Sequence, residues 1–352
     1  MTDPEEFDQR IQNFDYQSFT PPGKLYNTYT LDGKTYEIWY APLIDEACKE
    51  IIRNVQILIL FFIEGGSIID VDDEIWTNRR WDVYFLYEKT AEYHYTLTGY
   101  TTVYRYWFNP PVNPLLTPPP TPPVSGFSPE LVNSQYPDNT PDTLPSRARI
   151  SQFLILPPYQ SLGHGGLLYD NIVTHLLAQS HIREITIEDP SEAFENLRDL
   201  RDLTRLHKNG TLKALSLPAI LKNPKLLETH RIKNKMPNRQ FRRIVEIDLL
   251  SRIDAKKEPQ QEKAFRLFVK ERIYKQNRDV LAQLDRLERI DKLDETYVHL
   301  ADDYLGVLNK FSTGPPDGGQ VEERAARTGG SDDEMEDVDQ QPSDRPKKRV
   351  RI

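Results

Sequence analysis

One cysteine, Cys48, stands in 352 residues. That excludes an internal disulfide and a thiolate metal site and fits a reducing compartment, leaving Cys48 as an expected small core residue. Long apolar runs are scarce too. The longest, VQILILFFI at 55–63, is about half of the roughly 20 residues a helix needs to cross a bilayer. No charged segment followed by an apolar one opens the chain, so neither secretion nor membrane insertion is expected. The seven histidines show no HxxxH or similar spacing, which argues against a metal centre. Positive charge falls short of negative, 45 Lys and Arg against 54 Asp and Glu for a net −9. This balance disfavours general binding to nucleic-acid phosphates and suits a basic partner.

Hydrophobic residues, 38% of the chain with 10% aromatic, suffice for one large or two small cores. KTYEIWYA, WDVYFLYEK and GYTTVYRYWF, between 34 and 108, are dense in β-branched and aromatic residues and predict strands. LIDEACKEIIRNVQILILFF (43–62) opens with helical spacing and predicts a helix feeding a strand. From 109 to 147 prolines interrupt any sheet pattern and mark a loop insertion. SQFLIL then resumes as a strand, followed by a glycine loop, a helix and another strand. Beyond 205, segments such as RQFRRIVEIDLL repeat apolar residues every three or four positions and predict a helical subdomain to 310. Residues 1–22 are expected to form a poorly ordered lead segment. The acidic and basic blocks of 311–352 have too few apolar residues to fold. Within them, Lys347, Lys348, Arg349 and Arg351 are similar to a short nuclear-import signal, with a plain solvated tail as the alternative.

SQFLILPPYQSLGHGG (151–166) runs a strand into a glycine loop and a helix N-terminus, a way to aim several backbone N–H groups at an anion. No lysine completes a nucleoside-triphosphate loop, and Leu168 stands where a dinucleotide fingerprint needs a third glycine. What remains, Gln160-x-x-Gly163-x-Gly165, resembles the acetyl-CoA pyrophosphate signature of the GNAT acetyltransferase superfamily. Pro157 and Pro158 each remove a backbone donor and are expected to end or splay the strand. In the GNAT fold, the resemblance implies, this strand parts from the next and the cofactor's pantetheine arm lies in the cleft.

The next strand, EITIEDP (184–190), places Glu188 at the mouth of that slot, with Asp189 beside it; FFIEGGSIIDVDDE places Glu64 at the end of an apolar run. A lysine amine with an ordinary pKa of ~10.4 is mostly protonated at neutral pH, so its attack on a thioester needs a base. A carboxylate crowded by others and partly buried is suited to that task. The acyl oxygen is expected to be polarised by a backbone N–H freed where the strand ends.

These motifs, with GKLYNTYT, RWDVYFLYEK and GYTTVYRYW upstream and RQFRRIVEIDLL downstream, are similar in order to the catalytic subunit of type B histone acetyltransferases. The resemblance spans roughly 23–305. It implies an α+β GNAT acyltransferase fold, a mixed, mostly antiparallel splayed sheet flanked by helices, over 23–205, with a C-terminal helical subdomain. It implies Glu188 as general base assisted by Asp189 and Glu64. Cofactor contacts would come from Phe153, Leu154 and Ile155 on the strand, Gln160, Ser161, Leu162, Gly163, His164, Gly165 and Gly166 in the loop, and Phe194. His164 falls at a variable position of the signature and is read as a loop residue. Trp81 and Tyr104 would line the lysine channel; Trp76 competes for that place, and the spacing of Trp81 to YFLYEK fits better. The implied co-substrate is acetyl-CoA, with no metal, and the implied substrate is the tail of newly made histone four. A WD-repeat histone-binding subunit is the implied partner, through LRDLRDLTRLHKNG, with residence in nucleus and cytoplasm. The family usually carries a further N-terminal domain that grips the tail, so a histone-binding scaffold with impaired catalysis is the alternative. A small-molecule GNAT enzyme is a third, against which the helical C-terminal part counts.

Overall fold

The structure is a computed structural model that describes residues 9, 12–13, 19–73, 77–91, 94–107, 145–254 and 257–312. The Pro-rich insertion, Trp76 and the C-terminal tail beyond 312 lie outside the described residues.

Strands β1 (Lys24–Leu31) and β2 (Lys34–Pro42) join through Asp32 and Gly33, both at positive φ (49° and 75°). An Asp-Gly pair supports that conformation, whose twist matches the strands it connects. β3 (Trp81–Ala91), β4 (His94–Trp107), β5 (Ser146–Ile155) and β6 (Ile182–Ile187) complete one six-stranded sheet in sequence order. Every neighbouring pair is antiparallel except β5 and β6, which are parallel. The helix α3 (His164–Ala178) makes the crossover a parallel pair needs.

Alternation along the strands gives the sheet two apolar faces. One packs Tyr36, Ile38, Tyr84, Val103 and Ile150 on Leu168, Ile172 and Leu176 of α3. The other packs Val83, Phe85, Tyr100 and Leu154 on Cys48, Ile52 and Ile59. Cys48 is the fully buried core residue the sequence suggested, and burial pushes its thiol pKa up.

Residues 43–63 differ from expectation. After α1 (Glu46–Val55) comes a second helix, α2 (Ile57–Phe62), and not a strand. A short apolar run carries too little periodicity to separate the two. Here β3 is already paired on both edges, and the Gln56 N–H continues the helical bonding by donating to the Ile52 carbonyl (2.9 Å).

Among the described residues, eight further helices follow β6: α4 (Glu192–Lys208), α5 (Thr211–Ala214), α6 (Leu217–Lys222), α7 (Lys225–Lys233), α8 (Asn238–Ser251), α9 (Pro259–Gln276), α10 (Arg278–Leu281) and α11 (Arg286–Ser312). Leu203, Leu206, Phe241, Ile244, Phe265 and Val269 centre their own core. Buried polar bonds tie these helices to α3 and to one another: Tyr169 of α3 donates to Asp202 (3.1 Å), and Gln240 of α8 donates to Asp199 (2.8 Å). The LRDLRDLTRLHKNG segment is thereby used internally in part, since Asp199, Asp202, Leu203 and Leu206 are all buried. Those four side chains are not available to a partner as the sequence reading had it.

Candidate active site

The sheet opens between β5 and β6. Their ladder runs from Ser146 opposite Ile182 to Ile150 opposite Ile187, and the Glu188 N–H donates once more to the Ile150 carbonyl (2.9 Å). Asp189 then takes a left-handed conformation (φ 29°), which short polar side chains tolerate, and Pro190 follows. The chain turns away here, while β5 continues to Ile155 paired with β4 alone. The parting is therefore made by the EDP end of β6, five residues earlier than Ile155. Pro157 and Pro158, expected to end or splay the strand, do the first: they form a single 3₁₀ turn after it, and the Leu156 N–H still bonds to Thr98 of β4 (2.9 Å).

Beside the opening β5 carries a bulge. Thr101 faces Phe153 and Val103 faces Ile150, so Ser151 and Gln152 together stand opposite Thr102. The Thr101 hydroxyl donates to the Gln152 carbonyl (2.6 Å), and the Thr102 hydroxyl accepts from the Gln152 N–H (3.2 Å). With Gln152 and Leu156 bonded toward β4, alternation turns the main-chain groups of Phe153 and Ile155 toward the side β6 has left. Gln160 donates its side-chain amide to the Ile155 carbonyl (2.7 Å) and folds the glycine loop back over the strand end. Ser161 (φ 61°) and Gly163 (φ 94°) shape the turn, and α3 begins with N–H groups that have no preceding turn to bond.

Several expected cofactor residues have their side chains elsewhere. Leu154 is buried in the core under α1 and α2, and by the same alternation its main chain faces β4. His164 is 1% exposed, and its Nδ1 shares a hydrogen bond with the Tyr29 hydroxyl (2.8 Å). It is a buried residue of the helix start and not a loop side chain, because Tyr29 and Tyr36 enclose it. A Cβ on Gly165 would stand 3.0 Å from Leu197, and one on Gly166 would meet Arg201 at 3.4 Å. These glycines let α4 approach as well as keeping the helix start open.

The expected carboxylates and aromatic residues meet in a cavity of about 700 Å³, whose lining along β5 stops at Phe153 and does not include Gln160–Gly166 of the glycine loop. Glu64, Glu188 and Asp189 line it, as do Trp81, Tyr104, Phe153 and Phe194. Trp81 and Tyr104 sit opposite each other on β3 and β4 with rings edge-on at 4.9 Å, and Phe153 stacks on Phe194 at 4.3 Å. Glu188 is held differently from the crowd of carboxylates the sequence suggested. It accepts from Arg149 (3.2 Å) and from the Ser151 hydroxyl, and Arg149 lies over the Tyr106 ring at 4.4 Å. Glu64 sits in the turn after α2, a loop pinned by Gln56, which accepts from the Ile69 N–H (2.9 Å), and by Gln152, which donates to the Ser67 carbonyl (2.8 Å).

Arg149, Ser151, Gln152 and Tyr106 were not singled out from sequence. The alternation of RARIS on the strand before SQFLIL could have shown Arg149 and Ser151 sharing the face opposite Ile150. Nothing local announces the bulge that places Gln152. Among the described residues, no group of three or more His, Cys, Asp or Glu side chains is arranged to hold a metal ion.

Comparison with known proteins bears on the same residues. A family model described as "Histone acetyl transferase HAT1 N-terminus" matches residues 1–64, and one described as "Fungal HAT1, C-terminal" matches 199–254. The histone acetyltransferase type B catalytic subunit of Gibberella zeae is 34% identical over 360 residues, covering 91% of this chain and 73% of that protein. The proteins of the same name from Aspergillus oryzae and Schizosaccharomyces pombe are 34% and 38% identical, over 85% and 81% of this chain. The chain spans 65% of the length of each of those two.

Proposed function

The chain belongs to the family of type B histone acetyltransferase catalytic subunits, and from that premise we propose that it transfers acetyl from acetyl-CoA to lysines in the N-terminal tail of newly made histone four. The observation that carries this reading is the single cavity that joins the open edge of β5 to Glu64, Glu188, Asp189 and an aromatic wall.

Each part has a physical task. The strand edge freed at Phe153 and Ile155 offers main-chain groups to an extended amide-bearing arm, much as a missing strand would be replaced. The start of α3 presents N–H groups and the positive end of the helix dipole to a diphosphate. Trp81, Tyr104 and Tyr106 give the lysine stem apolar surface and its ammonium a ring face. Glu188 takes the proton that frees the amine's lone pair, with Arg149 and Ser151 fixing its carboxylate. The amine nitrogen then bonds to the thioester carbon, the carbon–sulfur bond breaks, and the second proton lost by the nitrogen passes to the departing thiolate, leaving an amide and a free thiol. Glu64 and Asp189 add negative charge that draws the cationic lysine into the cavity. A WD-repeat histone-binding subunit as partner, and residence in both nucleus and cytoplasm, belong to the same proposal; the family resemblance supports the first and the basic cluster at Lys347–Arg351 the nuclear part of the second.

The test is acetyl transfer from acetyl-CoA to a histone four tail peptide by the purified chain. Transfer to lysine supports the reading. Binding of the peptide without transfer would make the chain a histone-binding scaffold.

A further inference from the structure

α2 is built of six apolar residues, ILILFF, and turns most of them outward. Ile57, Leu60, Phe61 and Phe62 are 50%, 54%, 73% and 47% exposed, while Ile59 alone is fully buried. Single exposed apolar side chains need no explanation, but four on one short helix form a patch of the kind that marks an interaction surface. The patch is continuous with the cavity, because Phe62 and the exposed Ile68 line the cavity wall beside Glu64.

We propose that α2 is a specificity lip, which receives an aliphatic or aromatic side chain of the substrate polypeptide two to four residues from the reactive lysine. This rests on the acetyltransferase reading above. Reach sets the interval: six helical residues span about 9 Å, and an extended peptide advances about 3.3–3.6 Å per residue. A polypeptide whose lysine enters the cavity therefore lays neighbouring residues across Phe62 and then Leu60 and Phe61. Charge separates this occupant from others. The charged residues that line the cavity beside the lip are Glu64 and Asp70, both exposed, and Arg53, one turn earlier on α1, is ion-paired with Asp72, so the border suits a basic polypeptide and opposes an anionic membrane surface. A second copy seated here would bring the same acidic residues against each other.

The experiment scans a leucine through positions two to four on either side of a single lysine in a glycine- and arginine-rich peptide, with serine as the reference. The full chain is expected to favour leucine at one of these positions about tenfold in kcat/KM, the range for one apolar side chain in a pocket. In a Leu60→Ser, Phe61→Ser double variant, which leaves the cavity wall intact, the ratio should fall to about one while the serine peptide keeps its rate. Equal kcat/KM for all peptides in the unmodified chain would overturn the proposal, as would a preference that survives in the double variant. A dimer in sedimentation that the double variant dissolves would overturn it in favour of a second copy. If no peptide is acetylated, the acetyltransferase reading itself fails and takes the lip with it.

Discussion

Glu188 owes its place to two neighbours that compete with water for its carboxylate. Ser151 donates a hydroxyl from the bulge, and Arg149 reaches across while resting on Tyr106. Glu188 is partly open to solvent, its side chain 42% exposed, so each bond is weaker than it would be in a dry site. Ser151→Ala is expected to lower kcat about threefold to tenfold, within the range for one hydrogen bond to a charged group discounted for exposure. Acetyl-CoA affinity should be unchanged and Ser151→Thr should restore the rate; an undiminished kcat in Ser151→Ala would remove the hydroxyl from the chemistry. At this scale the sequence was legible where a residue's chemistry is tied to a strand end. Glu188 and Asp189 precede a proline that stops β6, and Glu64 follows an apolar run. It was illegible where backbone irregularity decides direction. A bulge shifts the side-chain alternation by one, so Ile150 and Leu154 face opposite cores although both sit at even positions of β5.

The elements divide the work between holding and opening. α3 is fixed to the sheet by its apolar stripe and by His175, whose Nδ1 is bonded to the Tyr84 hydroxyl (2.8 Å) and whose ring stacks on Tyr26 at 4.7 Å. Burial holds the His175 pKa below its ordinary 6.5. The unfolded chain therefore binds this proton more readily. Stability from this seat is complete above about pH 6.5 and declines as pH falls through the lower folded value. Thermal unfolding followed from pH 7.5 to 5 should show that decline, and His175→Phe should flatten part of it; an identical slope in the variant would exclude His175 as its source. The opening belongs to β5 and β6. A strand–loop–helix–strand order predicts a parallel pair, and the sequence carried that much. The parting was assigned to Pro157 and Pro158, which end β5 but do not separate the pair, because the left-handed turn at Asp189 is not visible in sequence. The ILILFF segment was misread for a related reason: hydrophobicity alone says neither helix nor strand, nor which side meets water.

At the scale of the molecule, three apolar cores among the described residues share the load: two on the faces of the sheet and one among the C-terminal helices. The helical core does not line the cavity, but α4 joins the two regions. Its first turn carries Phe194 into the site, and its middle carries Asp199 and Asp202 into the polar bonds with α3 and α8. The helical part thus sets where Phe194 stacks on Phe153 and how closely α4 approaches Gly165. Sequence periodicity announced those helices well, since each hides one stripe, but not that α4 turns its aspartates inward. The central claim concerns the assembled site: an opened strand pair that seats acetyl-CoA with one carboxylate beside the thioester. It is tested most directly by measuring acetyl transfer to the histone four tail peptide together with acetyl-CoA affinity, for the chain and for Glu188→Gln. The account predicts a fall in turnover of about 100-fold or more, the range for loss of a general base, with affinity unchanged. Equal turnover in the two proteins, or no affinity for acetyl-CoA in either, would contradict it.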